Sequence, residues 1–299
     1  MKTDIEITVQ QFLQREKLED KRILLLLSGG VDSVTLFHVL LKTVKATNLF
    51  GLYVNHQARK AVKQEQGFVE NLCKKNNVKL FCKTIDIQPQ KNRENFWRQQ
   101  RLAFATQIQK KYQISRVLTA HHATDLVETV IFRMAKGVGI SGLCPFDLSS
   151  KPLFEISKKE IYLYAKQNNL LWAEDESNKD LAFARNLIRR DILPPMRTIT
   201  QNLELVFNKN SRNFWQIKNF LDSELCARVN LNDRKLSLKK FHALHPALQS
   251  HFLFLLAKTG ASSADIADCS KWLRGNPRGK SQKKLGDSLL RIQNSEILW

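Results

Sequence analysis

The feature that most constrains this chain is the junction at residues 23–33. Five consecutive aliphatic residues, Ile23–Leu27, run directly into Ser28-Gly29-Gly30-Val31-Asp32-Ser33. A short apolar run bounded by glycine reads as a buried strand, and the Val34–Val44 pattern after it reads as a helix. Strand, glycine loop and helix in that order place the loop outside the carboxyl end of a strand, where parallel sheets bind ligands. Two glycines let the backbone approach an anion without Cβ obstruction. Free N–H groups and the helix dipole favour phosphate there, and Ser28 and Ser33 add hydroxyl donors. Asp32 is out of place beside phosphate unless a cation intervenes, so a Mg²⁺ ligand role follows. No Gly-Lys-Ser/Thr is present, so the loop is not a Walker A.

The rest of the first 200 residues repeats the alternation. Residues 5–20 read as an amphipathic helix, Leu49–Val54 as a strand and Lys63–Asn76 as a helix with Phe68, Val69 and Leu72 on one face. Val78–Ile85 alternates like a strand. Arg93–Tyr112 is a long helix, Arg116–Ala120 a strand and Asp125–Lys136 a helix. Alternating strands and helices imply an α/β fold, a doubly wound, mostly parallel sheet covered on both faces. Ser157 stands three residues before Glu160, as in a capping box that opens a helix. Pro194-Pro195 is expected to end the helical pattern of Phe183–Ile192. We place a domain boundary near residue 200. Residues 201–299 read as a smaller α+β domain, with helices around 203–225 and 245–258 and short strands near 284–298.

Composition enters through charge. The 299 residues carry 48 Lys+Arg against 28 Asp+Glu, a net +20. The excess is spread, +12 over residues 1–200 and +8 over residues 201–299, and it favours a polyanionic partner such as nucleic acid. The span 271–291 is the densest, with Lys271, Arg274, Arg278, Lys280, Lys283, Lys284 and Arg291 against Asp287. No run approaches the ~20 apolar residues of a membrane helix, and the N-terminus lacks a secretory pattern. The five cysteines are scattered with no C-x-x-C, which points to reduced thiols in a cytoplasmic setting.

Ser28–Ser33 resembles the SGGxDS loop of the N-type ATP pyrophosphatases, the PP-loop superfamily, a Rossmann-like fold that cleaves ATP to AMP and pyrophosphate. Members include GMP synthetase, NAD synthetase, tRNA thiolation enzymes and tRNA(Ile)-lysidine synthases. Further motifs choose among them. Val54-Asn55-His56-Gln57-Ala58-Arg59 resembles the VNHxLR segment of lysidine synthases. Glu94, Arg98 and Arg101 resemble their ExxxRxxR helix; on spacing alone this is a solvated ion-pair face. Ala120–Thr129 resembles AHHxxDQxET, with Thr124 where Asp is usual and Leu126 where Gln is usual. Arg133–Leu143 resembles RxxRGxGxxGL. Lys151-Pro152-Leu153-Phe154 resembles RPLL, with Lys for Arg. Glu174–Asn178 followed by Arg185–Arg189 resembles EDxSN…RNxIR. Six blocks in order cover residues ~20–195 and resemble the shorter members of that family.

The resemblance implies an enzyme that modifies the wobble cytidine of a tRNA(Ile) with a CAU anticodon. ATP would adenylate the C2 carbonyl oxygen, and the ε-amine of free L-lysine would displace AMP to give lysidine. Ser28, Gly29, Gly30, Val31, Asp32 and Ser33, with Asn55 and His56, would hold ATP, and Asp32 would hold Mg²⁺. His122 would stabilise charge near the phosphates, Arg98 or Arg101 would contact phosphate or the activated base, and Arg185 and Arg189, at i and i+4 on one face, would join the catalytic residues. Asp125 and Glu128, at i and i+3 on one helix, would point the same way and receive the lysine. The basic surface would grip tRNA, and the family allows a homodimer. Two readings compete: a tRNA-thiolating enzyme on the same fold, disfavoured by the scattered thiols, and a non-catalytic ATP- or tRNA-binding module, disfavoured by the presence of Asp32, Asp125 and Glu128.

Overall fold

The computed structural model describes residues 3–55, 62–85, 93–173, 183–257, 261–275, 277 and 281–299. Two compact units emerge. The first comprises residues 1–127 and 146–208, the second residues 128–145 and 209–299.

The first unit begins with helix α1 (Asp4–Arg15), strand β1 (Ile23–Leu26), α2 (Val31–Thr43) and β2 (Leu49–Asn55). Then follow α3 (Val62–Lys75), β3 (Lys79–Thr84), α4 (Arg93–Lys111) and β4 (Arg116–Leu118). Helix α5 (Ala123–Ala135) carries the chain out of this unit, and α6 (Lys158–Gln167), α7 (Phe183–Leu187), α8 (Leu193–Ile199) and the start of α9 (Leu203–Cys226) belong to its return. The four strands form one parallel sheet in the order β3-β2-β1-β4.

β1 is apolar on both faces because both are covered. Ile23, Leu25 and Leu27 pack in one core with Val9, Phe12, Leu36, Phe37, Leu40 and Ile161, from α1, α2 and α6. Leu24 faces the other way, into a core with Phe50, Leu52, Ala105 and Ile108, the last two from α4. The expected doubly wound α/β sheet is therefore present.

A buried polar knot joins α1, α2 and α6. Thr3 and Glu6 make a capping box at the start of α1. Glu6 Oε1 also accepts from Lys42 Nζ on α2 at 2.6 Å and from Tyr164 Oη on α6 at 2.8 Å. Burial alone would raise the Glu6 pKa. The hydrogen bonds from Lys42, the Thr3 N–H and Tyr164 overcome that and hold it at about 2, against 4.5 for a free glutamate. A depressed carboxylate stabilises the fold fully above its unfolded pKa and loses that contribution as pH falls through its folded one. Glu6→Gln is expected to cost about 1 kcal/mol at neutral pH, discounted because Lys42 is partly in solvent. The gap between wild type and variant should close between pH 4.5 and 2. Denaturant melts at pH 6 and pH 2.5 check this; an equal gap at both would contradict it.

Two sequence expectations change. α2 starts at Val31, not Val34, because extended Gly30 caps it directly. Pro194-Pro195 does not end a helix. A π-helical turn at Ile188–Ile192 hands over to α8, whose first turn contains both prolines. The missing N–H groups of proline cost nothing in a first turn.

The second unit holds the remainder of α5 and α9, then β5 (Lys235–Ser237), α10 (Leu238–Ala243), α11 (Pro246–Ala257) and α12 (Ser263–Arg274). It closes with β6 (Gln282–Leu285), β7 (Ser288–Gln293) and β8 (Glu296–Leu298). These four strands form an antiparallel sheet ordered β5-β8-β7-β6, the expected smaller α+β element. Its core gathers Phe241, Phe252, Leu253, Leu273, Leu290 and Ile297.

Candidate functional site

The strand order turns back at β1, which has β2 on one side and β4 on the other. Ligands bind parallel sheets at such a switch point, outside the carboxyl ends of the strands. Ser28-Gly29-Gly30 occupies that place. Gly29 has φ +87°, a left-handed conformation that side chains resist, and an added Cβ would lie 3.1 Å from Val69 Cγ2. The loop is braced internally. Ser28 N–H donates to Ser33 Oγ (3.2 Å), Ser33 Oγ donates to Gly30 O (3.0 Å), and Ala173 N–H donates to Gly29 O (2.9 Å). Gly30 caps α2 without a side-chain bond, so the first turn of α2 aims its dipole at the space over the loop.

Asp32 stands in that first turn, with both carboxylate oxygens on Lys158 Nζ at 2.5 and 2.7 Å. His122 Nε2 is 3.8 Å from Asp32 Oδ1 and 3.5 Å from Asp125 Oδ2. The Asp125 N–H donates to His122 Nδ1 (3.3 Å), and the His122 N–H donates to Asp125 Oδ2 (3.1 Å). With Nδ1 accepting, the ring of neutral His122 carries its proton on Nε2, toward the two carboxylates; this tautomer follows from the hydrogen-bond network. Arg189 Nη2 lies 3.8 Å from Asp125 Oδ1. The fold thus gathers Asp32, His122, Asp125 and Arg189, residues far apart in sequence, beside the Ser28–Ser33 loop.

Glu128, one turn beyond Asp125 on α5, is 2 % exposed, whereas the Asp125 side chain is 25 % exposed. The two carboxylates therefore have different surroundings, which spacing alone does not reveal. Arg98 is exposed and Arg101 half-buried on α4. Asn55 ends β2 and donates to Gln66 Oε1 at 3.2 Å. Arg185 is exposed on α7. His56, Ala58-Arg59 and Glu174–Asn178 lie outside the described residues, as does the side chain of Glu94.

Thr124 and Leu126 acquire a local explanation. Buried Thr124 Oγ1 accepts from the Lys158 N–H at 3.1 Å and donates to Glu204 Oε1 at 3.2 Å. A hydroxyl does both, and the pair of bonds ties the starts of α5, α6 and α9. Leu126 is fully buried, so an apolar side chain suits it.

Two lysines escape the sequence reading. Lys158 is the first residue of α6, where a cation opposes the helix dipole. That mismatch is the signal that could have marked it. Lys151 is 9 % exposed, and its Nζ donates to Thr119 Oγ1 at 3.1 Å, just past the end of β4. Its place in a K-P-L-F run is its only trace in the sequence.

Comparison with known proteins bears on this arrangement. The family model described as "PP-loop domain" matches residues 1–196. A tRNA(Ile)-lysidine synthase of Petrotoga mobilis is 30 % identical over 96 % of this chain and 98 % of its own length. This chain belongs to the tRNA(Ile)-lysidine synthase family of PP-loop proteins. Family members differ in length: the chain spans about half the length of other curated relatives, 49 % of the synthase of Pseudothermotoga lettingae at 31 % identity over 69 % of this chain. Among solved structures, the U34-tRNA thiolase NcsA of Methanococcus maripaludis, with its [4Fe-4S] cluster, superposes with a TM-score of 0.62 at 15 % identity. The match covers 71 % of this chain and 79 % of that one, a likeness of fold.

Proposed function

We propose that this chain joins free L-lysine to the wobble cytidine of a tRNA(Ile) with a CAU anticodon, at the expense of ATP. The observation that carries the reading is the meeting of the Ser28–Ser33 loop with Asp32, His122 and Asp125 at the switch point of the sheet. In this reading the N–H groups at the start of α2 receive the phosphates that leave as pyrophosphate. The cytosine C2 oxygen attacks the α-phosphate of ATP, and the lysine amine then displaces AMP. Neutral His122, its Nε2 proton turned to the carboxylates, donates a hydrogen bond to charge developing there. Arg189 balances Asp125 and remains near enough to meet phosphate.

Asp32 is a fitting donor for Mg²⁺, an ion that takes one or two carboxylates and fills its shell with phosphate oxygens and water. It would offset negative charge in phosphoryl transfer. Among the described residues no three His, Cys, Asp or Glu side chains are arranged to hold a metal ion by themselves, so in this reading phosphate oxygens and water would complete the shell.

Residues 1–200 serve as the catalytic domain in this proposal, and the basic residues 201–299 grip tRNA phosphates, with strong salt dependence. Thiolation fits less well. Burial pushes Cys73 up to about 12 and Cys82 and Cys269 up to about 11, so these thiols stay protonated at neutral pH.

The test is one incubation of the protein with ATP, Mg²⁺, labelled lysine and unmodified tRNA, followed by nucleoside mass analysis. A wobble cytidine heavier by one lysine less one water is expected. ATP cleavage with no lysine in the nucleoside pool would overturn the choice of nucleophile.

A further inference from the structure

Asp32, proposed above as the Mg²⁺ ligand, already holds a cation in the fold. Lys158 Nζ sits astride its carboxylate, 2.5 Å from Oδ1 and 2.7 Å from Oδ2. The same Oδ1 is 3.8 Å from His122 Nε2. A metal ion drawing on either oxygen would meet the ammonium at close range, where like charges repel.

The lysine stands there against local preference. It is the first residue of α6, where the helix dipole disfavours a cation. Its main chain is fixed. The Lys158 N–H donates to Thr124 Oγ1 at 3.1 Å, and the flanking Ser157 and Glu160 form a capping box. Its side chain is free to move, being 37 % exposed on a flexible stem. Lys158 Nζ also lies 5.5 Å from the centroid of the Tyr162 ring on the next turn, a second place of rest. The ammonium can therefore leave Asp32 while α6 stays where it is.

Charge decides when it leaves. Lys158 is paired with Asp32, and Arg189 Nη2 lies 3.8 Å from Asp125 Oδ1, so each of these carboxylates has a cation beside it. A metal ion arriving alone would overfill the site with positive charge. A polyphosphate brings more negative charge than one Mg²⁺ removes, and its oxygens give a displaced ammonium a new partner. Resting on the role of Asp32 in the ATP reading, we propose that Lys158 reserves Asp32 for a divalent cation that arrives with the nucleotide, and shuts out the cation alone. When both arrive, Lys158 yields the carboxylate and turns to a phosphate oxygen. By linkage, metal and nucleotide then raise each other's affinity by the same factor.

The experiment reads binding, without turnover. Mn²⁺ stands in for Mg²⁺, because the free ion gives a paramagnetic resonance signal that binding removes. The nucleotide is an ATP analogue with a methylene between the α- and β-phosphorus atoms, which cannot be cleaved there. Without nucleotide, Lys158→Met should bind Mn²⁺ ~10-fold more tightly than the wild type, about the effect of one screened unit charge. Lys158→Gln, a second neutral variant, should match it, and Lys158→Arg, which keeps the cation, should stay at the wild-type value. Asp32→Asn added to Lys158→Met should remove the gain. The factor by which Mn²⁺ raises affinity for the analogue should be ~10-fold smaller in Lys158→Met than in the wild type. A lysine that only holds α6 in place would give no gain in metal binding when removed. Wild-type Mn²⁺ affinity in both neutral variants would overturn the proposal, as would a gain that survives Asp32→Asn. A wild type that binds the analogue equally with and without Mn²⁺ would overturn the metal role of Asp32 on which it rests.

Discussion

Alanine at position 32 is expected to reduce tRNA-dependent pyrophosphate release at least ~10³-fold while leaving the fold intact. The two halves of this expectation have different causes. Asp32 is the carboxylate in the first turn of α2, above a loop that offers N–H donors to phosphate. Removing it takes away the proposed anchor for the divalent cation and the charge that pairs with Lys158. Each ~1.4 kcal/mol of lost transition-state stabilisation is tenfold in rate, and a metal ion supplies several kcal/mol. Stability should change by less than ~1 kcal/mol, because the pair with Lys158 is about a third exposed on both sides and water screens it. Pyrophosphate release and a thermal melt on the same preparation test both halves. Activity within tenfold of wild type would remove Asp32 from the chemistry. Asp32→Asn keeps the shape and a hydrogen bond, so an equal loss there would identify the charge as what matters.

Gly29→Ala should unsettle the same loop by another route. The left-handed φ of +87° penalises any Cβ by about 1–2 kcal/mol, and this Cβ would also press on Val69 Cγ2 at 3.1 Å. The loop cannot rotate away freely, because Gly29 O is held by the Ala173 N–H. A loss of ~1–2 kcal/mol corresponds to a few degrees of melting temperature for a unit of this size. Nucleotide affinity should fall at least tenfold as the N–H groups turn off target. The neighbouring Gly30→Ala is the control. Gly30 has an ordinary extended φ of −71°, and its added Cβ would meet only Ser28 Oγ at 3.7 Å. It should melt close to wild type; equal melting losses at the two positions would refute the conformational argument.

The parts of this protein legible in sequence are those set by neighbours along the chain. Ile23–Leu27 followed by glycines announced β1, the loop and α2 because apolar runs, glycine freedom and helix capping are local. The doubly wound sheet followed from the alternation alone. His122 and Asp125 were visible as a motif, and the fold adds that they meet Asp32. What stayed hidden was relational. Lys158 is 126 positions from Asp32, and nothing within α6 calls for a lysine at its start. Lys151 gains its character from burial beside Thr119, which no pattern encodes. The divergent exposure of Asp125 and Glu128 depends on what packs along α5, so i,i+3 spacing overstated their equivalence. Pro194-Pro195 misled because proline is read as a stop, although it is equally at home in a first turn.

The pairing of β1 with both β2 and β4 also governs how the chain reaches its native state. Ile23–Leu25 meet Leu49–Gly51 on one side and wait for Arg116–Leu118 on the other. During synthesis the strand that carries the phosphate loop therefore emerges long before its second partner. Its edge stays open, with unpaired backbone groups and some of the most apolar residues in the molecule. Contacts so distant in sequence close slowly, and the waiting edge is a template for pairing with another chain. The last strand of the nucleotide loop's platform to emerge is therefore the three-residue β4.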